Sequence, residues 1–195
     1  MAIELEKIQK LREETMASLS DVKKALDEAQ GDPEQALFIL KKKGKIIAEK
    51  KSARETKAGT ITAYTHGEGR IGVLVELKCE TDFVAKNEEF KELAHDLALH
   101  IAAMDPRYVK PENIPADALA VEMKMFQEQT QELNKPAEIV SQIIEGKVKK
   151  FYDEVCLLNQ PFVKDDSMTV KDRIAASISK LGENIEVGRF ARFAM

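Results

Sequence analysis

The sequence predicts an α+β fold: a three-helix domain at the N-terminus, then a core with a small antiparallel sheet, packed helices and a helical hairpin. Three observations carry this expectation. Apolar residues recur at steps of three and four through the first 43 residues, interrupted by matched helix start and stop signals. The period drops to two between Gly59 and Leu77, around a glycine-bearing loop. Helical periods then return, and a period-two segment closes the chain. The domains expected are 1–44 for the three helices, 45–58 for a basic linker and 59–195 for the α+β core.

Each element follows from its residues. Leu5, Ile8 and Leu11 give the first helix an apolar stripe. Ser20 is the expected cap of the second, whose inner face is Val22, Ala25, Leu26 and Ala29, with Gly31 as a left-handed stop. Asp32 and Pro33 open the third as N-cap and first helical residue, with Gln35 placed to complete a capping box. Ala36, Leu37 and Leu40 face inward, and Gly44 is the expected end. Lys41 to Lys57 then carries eight Lys/Arg against two Glu, which reads as a solvated, partly helical linker. Two strands follow. Ile61, Ala63 and Thr65 alternate in the first, Ile71, Val73, Val75 and Leu77 in the second, and His66 to Arg70 form the hairpin loop.

A helix capped by Asn87 presents Phe90, Leu93, Ala94, Leu97, Ala98 and Ile101 on one face. Pro106, Pro111 and Pro115 impose an extended connection. Two helical stretches, about 116–134 and 136–157, break at Lys135 and so predict an antiparallel helical hairpin, 116–157. Their faces are Leu119, Met123, Phe126 and Leu133, and then Ile139, Ile143 and Ile144. "NQPFVKDDSMT" reads as a loop and Val170 to Leu181 as a helix. In the last strand, Gly188 shifts the apolar parity from Ile185 and Val187 to Phe190, the mark of a bulge.

Composition narrows the function. A net charge of −4 argues against a nucleic-acid coat protein, so no direct nucleic-acid binding is expected. The longest apolar runs fall short of a membrane span, and the charged N-terminus is no signal peptide, so the expected location is the cytoplasm. Cys79 and Cys156 form no C-x-x-C pair and read as buried, reduced thiols. His66, His95 and His100 lack metal-ligand spacing, and His95 and His100 read as surface or boundary residues. Gly67 and Gly69 precede a strand rather than a helix, so they make no phosphate loop. The expectation is a binding protein with no catalytic residue, metal or cofactor.

One stretch resists a purely structural reading. In "CETDFVAKNEEF", Asp82 and Phe83 lie between the end of a paired strand and the start of a helix. Either Asp82 satisfies loop amides while Phe83 folds into the local core, or the ring is an exposed probe for a partner. The spacing leaves both open.

The same stretch is the most specific of several that together resemble the bacterial elongation factor Ts family, in its short, single-core form. "DVKKALDEAQGDPEQA", "KPAEIVSQIIEGKVKKF", "NQPFVKDDSMTV" and "LGENIEVGRFARF" carry the likeness in order along nearly the whole chain. The resemblance implies a guanine-nucleotide exchange factor for elongation factor Tu, acting without covalent chemistry. It implies that the three helices form a ubiquitin-associated-like domain that docks on the GTPase through Arg12, Leu19 and Ser20. Where the family commonly reads T-G-A-G-M-M-D, this chain reads Thr15-Met16-Ala17-Ser18-Leu19-Ser20-Asp21. Thr81, Asp82, Phe83 and Val84 match the loop that the family sets against the partner's magnesium site, and His66 matches a loop that faces another domain of the partner. Long family members carry two related core subdomains, and this chain has room for one, so a homodimer is expected, with the apolar last strand as a candidate for self-pairing. Two other readings are a ubiquitin-associated-like module that binds alone, and an RNA- or ribosome-associated factor using Lys41 to Lys57.

Overall fold

In the computed structural model, residues 2–15, 17–131 and 136–195 are described. The chain divides into two compact units, Met1–Ala102 with Lys171–Met195, and Ala103–Val170.

The first unit begins with three helices, α1 (Ala2–Thr15), α2 (Leu19–Glu28) and α3 (Pro33–Lys51). Their core is Ile8, Leu11, Val22, Ala25, Leu26, Ala36 and Leu40, as the periods require. Leu5 instead lies 68 % exposed, one turn before that core begins. Ser18 rather than Ser20 caps α2. Its hydroxyl accepts the Asp21 amide at 3.1 Å and donates to the Asp21 carboxylate at 2.9 Å, a reciprocal pair that starts the helix two residues early. Gln30 and Gly31 both turn left-handed after α2, and the Gly31 amide returns to the Leu26 carbonyl. The Asp32 carboxylate accepts the Glu34 amide at 2.9 Å and so opens α3 at Pro33.

The end of α3 corrects the expectation at Gly44. The helix passes through that glycine and stops at Lys51. One helical glycine costs only about 1 kcal/mol, and the residues on either side are good or tolerable helix formers. The basic segment is therefore helical through Lys51 and is fastened beyond it. Arg54 pairs with Glu80 at 3.5 Å, and the Asn184 amide side chain donates to the Arg54 carbonyl at 2.8 Å.

The sheet has the order β1 (Ala58–His66), β2 (Ile71–Cys79), β5 (Ile185–Ala194), antiparallel throughout. Val73, Val75, Leu77 and Cys79 bury the inner face of the middle strand. The alternation in β1 has the opposite polarity to its apolar residues: Thr60, Thr62 and Tyr64 are half-buried, and Ile61 is 68 % exposed. Register forces this result, because Thr60, Thr62 and Tyr64 oppose Leu77, Val75 and Val73. The bulge falls where expected. Gly188 and Arg189 together oppose Glu76, after which Phe190 and Arg192 take the inward positions.

Two helices cover the inner face, α5 (Glu88–Met104) and α8 (Val170–Leu181). Phe90, Leu93, Ala94, Leu97, Ala98 and Ile101 are all fully buried, matching the predicted stripe. Tyr64 meets His95 edge-on at 5.5 Å, and Arg192 donates to the Ala102 carbonyl. Arg173 of α8 pairs with buried Asp96, and Lys180 with Glu89, so the two helices run antiparallel. His100 is fully buried, a correction to its surface reading, while His95 is exposed.

In the second unit, α6 (Ala116–Gln131) and α7 (Ala137–Val155) form the expected hairpin. Phe126 meets Phe151 at 6.4 Å and Lys147 bonds Gln129, which fixes the antiparallel sense. The expected break at Lys135, and Leu133, lie outside the described residues. Ile139 is 42 % exposed rather than on an inner face. Ile114, Val155 and Cys156 are its buried centre, with Tyr108, Leu119 and Phe151 packed around them. The segment read as a loop holds a small β-hairpin, β3 (Pro161–Phe162) and β4 (Asp165–Thr169), too short to show alternation.

Candidate functional site

The puzzling stretch is built on a single helical turn, α4 (Asp82–Ala85), just beyond the buried end of β2. Thr81 starts it: its backbone is extended, and its hydroxyl accepts the Val84 amide at 3.5 Å. The turn ends in a short link, where Asn87 Oδ1 accepts the Glu89 amide at 2.9 Å and starts α5. No long helix can form here, because Thr81 and Asn87 cap successive helices only six residues apart.

This geometry excludes a core position for Phe83. The Phe83 ring is 82 % exposed, so it does not fold into the local core. The Asp82 carboxylate pairs with Lys86 Nζ at 2.7 Å, one turn along. That hydrogen bond, with the charge behind it, holds the Asp82 carboxyl below its ordinary range. Val84 is half-buried.

The turn is also held from outside. Glu183, in the bend between α8 and β5, accepts the Thr81 amide at 3.0 Å and the Thr81 hydroxyl at 2.6 Å. The Cys79 thiol donates to the Thr81 carbonyl at 3.1 Å. Burial pushes that thiol up to about 11, and burial does the same at Cys156, so both are protonated near neutral pH. An open groove of about 640 Å³ runs beside the turn, where Lys57, Lys78 and Lys86 mix with Glu76 and Asp82.

The other candidate residues lie elsewhere. Arg12 is exposed in the last turn of α1, and Leu19 and Ser20 are exposed in the first turn of α2. With Ser18 as the cap, the Ser20 hydroxyl is not committed to starting the helix. His66 is exposed at the hairpin end of β1, stacked near Tyr64, whose hydroxyl lies 3.2 Å from Nδ1. Ala58, at the other end of β1, pairs with Cys79, so His66 sits roughly 26 Å from the Asp82–Phe83 turn at strand rise. The structure therefore groups Thr81, Asp82, Phe83 and Val84 and leaves His66 at the opposite end of the sheet. Reasoning from sequence missed Glu183 and Lys86. The i, i+4 spacing of Asp82 and Lys86 was a readable signal; the approach of Glu183, 102 residues away from Thr81, was not. Among the described residues, no group of three or more His, Cys, Asp or Glu side chains could hold a metal ion, and no helix is long and apolar enough to cross a membrane.

The Phe83 ring is thus exposed on a braced turn, in the same compact unit as the three N-terminal helices, on which Arg12, Leu19 and Ser20 are exposed too. The chain belongs to the elongation factor Ts family, whose sequence model, described as "Elongation factor TS", matches residues 5–195. Elongation factor Ts of Rubrobacter xylanophilus is 51 % identical, over the full length of both chains. That of Koribacter versatilis is 51 % identical, over 99 % of this chain and 88 % of its own. That of Fervidobacterium nodosum is 50 % identical, over 98 % of both. The chain is thus a translation elongation factor by family.

Proposed function

We propose that the protein is a guanine-nucleotide exchange factor that promotes GDP release from elongation factor Tu by disturbing its magnesium site. The observation that carries this reading is the Phe83 ring, exposed on a turn whose capping residue, Thr81, is held by Glu183. Phe83 wedges between helices of the GTPase, and the Asp82–Lys86 pair holds the turn that presents it. Displacing those helices loosens the magnesium ion, and the nucleotide loses its largest local counter-charge. No covalent bond changes. Linkage makes the effect reciprocal: GDP weakens binding of the factor by the same ratio as the factor weakens GDP, so abundant GTP completes the cycle.

Arg12, Leu19 and Ser20 dock the three-helix domain on the GTPase, His66 meets a further domain of the partner, and the setting is the cytoplasm. The expected result is fast release of fluorescent GDP from elongation factor Tu on adding the protein. Release at the intrinsic rate, with complex formation intact, would overturn the exchange reading.

The working form is a homodimer. Support comes from the outer sheet face, where Ile61, Leu74 and Phe193 are exposed, at 68, 49 and 73 %. Val187 and Phe190, by contrast, turn toward the core, so the apolar face rather than the free edge of β5 is the surface to cover. Light scattering at micromolar concentration should give twice the 21.9 kDa chain mass; the single-chain mass with full exchange activity would exclude the dimer.

A further inference from the structure

The bend at Gly182–Asn184 touches both halves of the proposed machinery. Glu183 takes two hydrogen bonds from Thr81, the cap of the turn that carries Phe83. Its neighbour Asn184 donates to the Arg54 carbonyl at 2.8 Å and the Ser52 carbonyl at 3.5 Å, gripping the chain that leaves the three-helix domain. The backbone amide of Asn184 donates to Glu80 Oε1 at 2.6 Å, and the same carboxylate pairs with Arg54. Lys51, the last residue of α3, bonds the Gly182 carbonyl. Gly182 has a φ of +78°, a conformation a side chain would strain, which sets the tight bend needed to aim both side chains.

We infer that Glu183 is a positioning residue for the exchange wedge: its carboxylate locks Thr81 so that the exposed turn presents Phe83 in one orientation. The inference rests on the exchange reading above and deepens it. A one-turn helix has almost no stability of its own, since nucleating a turn costs more than a single hydrogen bond returns. The turn is short, solvent-facing and burdened with an exposed ring, so its shape depends on what grips its ends. Lys86 pairs back to Asp82 within the turn, which closes it on itself. At the N-terminal end the Thr81 hydroxyl accepts from Val84 and donates to Glu183, which orients it for both bonds. Without Glu183 the ring samples several directions before it engages, and that lost pre-organisation appears as slower release.

The test is stopped-flow release of fluorescent GDP from the cognate elongation factor Tu, at a series of concentrations of the factor. Four variants are compared: Glu183→Ala, Glu183→Gln, Phe83→Ala and the Phe83→Ala/Glu183→Ala double variant. Glu183→Ala should lower the maximal release rate roughly fivefold, with the half-saturating concentration little changed. Glu183→Gln keeps one carbonyl acceptor and should recover part of that loss. In the double variant, removing Glu183 should add nothing to the loss of the ring, because positioning has no value without the group positioned. A purely structural role would instead add its effect to that of Phe83→Ala and lower the melting temperature of both glutamate variants together. Additivity, or an unchanged maximal rate in Glu183→Ala beside a slow Phe83→Ala, would overturn the positioning role alone. A Phe83→Ala protein at the wild-type rate would overturn the exchange reading and this inference with it. Should Glu183→Ala fail to fold, Glu183→Gln alone and combined with Phe83→Ala gives the same comparison.

Discussion

Phe83 and Phe90 stand seven residues apart, and the chain treats them in opposite ways. Phe90 is fully buried in α5, against a sheet whose facing residues are buried too. Phe83 is 82 % exposed on α4, a turn with no buried residue. Hydrophobicity cannot distinguish two identical side chains, so the difference lies in the backbone. Phe90 belongs to a 17-residue helix whose apolar positions return to one face at every turn. Phe83 belongs to a four-residue helix that is capped at Thr81 and stopped before a second turn can bring it round. An exposed aromatic is kept in place here by polar brackets at the ends of its turn, while the buried one is kept by packing.

The strongest way to break that comparison is to remove the buried ring. Phe90→Ala should cost about 3–5 kcal/mol of stability, since the cavity left in a close-packed core adds to the lost transfer term. Urea denaturation would measure it, and a loss below about 1 kcal/mol would mean that this core is far looser than its burial indicates. Phe83→Ala should do the reverse. Its melting temperature should barely move, because exposed substitutions usually stay within about 0.5 kcal/mol, while GDP release should slow about tenfold or more. A stability loss like that of Phe90→Ala would contradict the exposed ring, and unchanged release would remove the wedge.

The smallest effect concerns the bracket itself. Lys86 lowers the folded-state carboxyl of Asp82 from its ordinary 3.8, so the pair favours the folded turn above that value and loses the contribution as pH falls through the lowered value. Between pH 5 and 8 the bracket should therefore be constant. A carbon-13 NMR titration of the Asp82 carboxyl should show a midpoint below 3.8, returning toward 3.8 in Lys86→Ala. An identical midpoint in both proteins would show that the ion pair seen here does not persist in solution.

The fold was legible where periodicity or capping chemistry speaks locally. The α5 stripe, the Asp32-Pro33 start of α3, the α6–α7 hairpin and the bulge at Gly188 all follow from neighbouring residues. Errors arose where local signals compete or a distant partner decides. Gly44 reads as a stop, yet α3 continues. Ser20 reads as a cap, but Ser18 gains more by pairing reciprocally with Asp21. In β1, Ile61 looks like a core residue and faces outward because the register with β2 is already fixed by Val73, Val75 and Leu77. The candidate site was half readable. Its residues stood out as an aromatic beside an acid in a junction, but spacing could not say whether the ring pointed in or out. The bracing by Glu183 depends on a contact across 102 residues, which no local pattern encodes.

The bulge in the last strand has an effect on surface chemistry. A Cβ added at Gly188 would meet the ends of the Glu76 and Lys78 side chains, which would have to swing aside. Past that point the strand has exchanged its faces, so Arg192 reaches inward to the Ala102 carbonyl and Phe193 turns to solvent. Regular pairing of the same residues without the bulge would set Arg189 opposite Val75 and swap those two: the guanidinium outward and the phenyl ring inward. The greasiness of the outer sheet surface is thus set by register as much as by residue identity, and the same ten letters could make a wetter or a stickier protein by a slip of one.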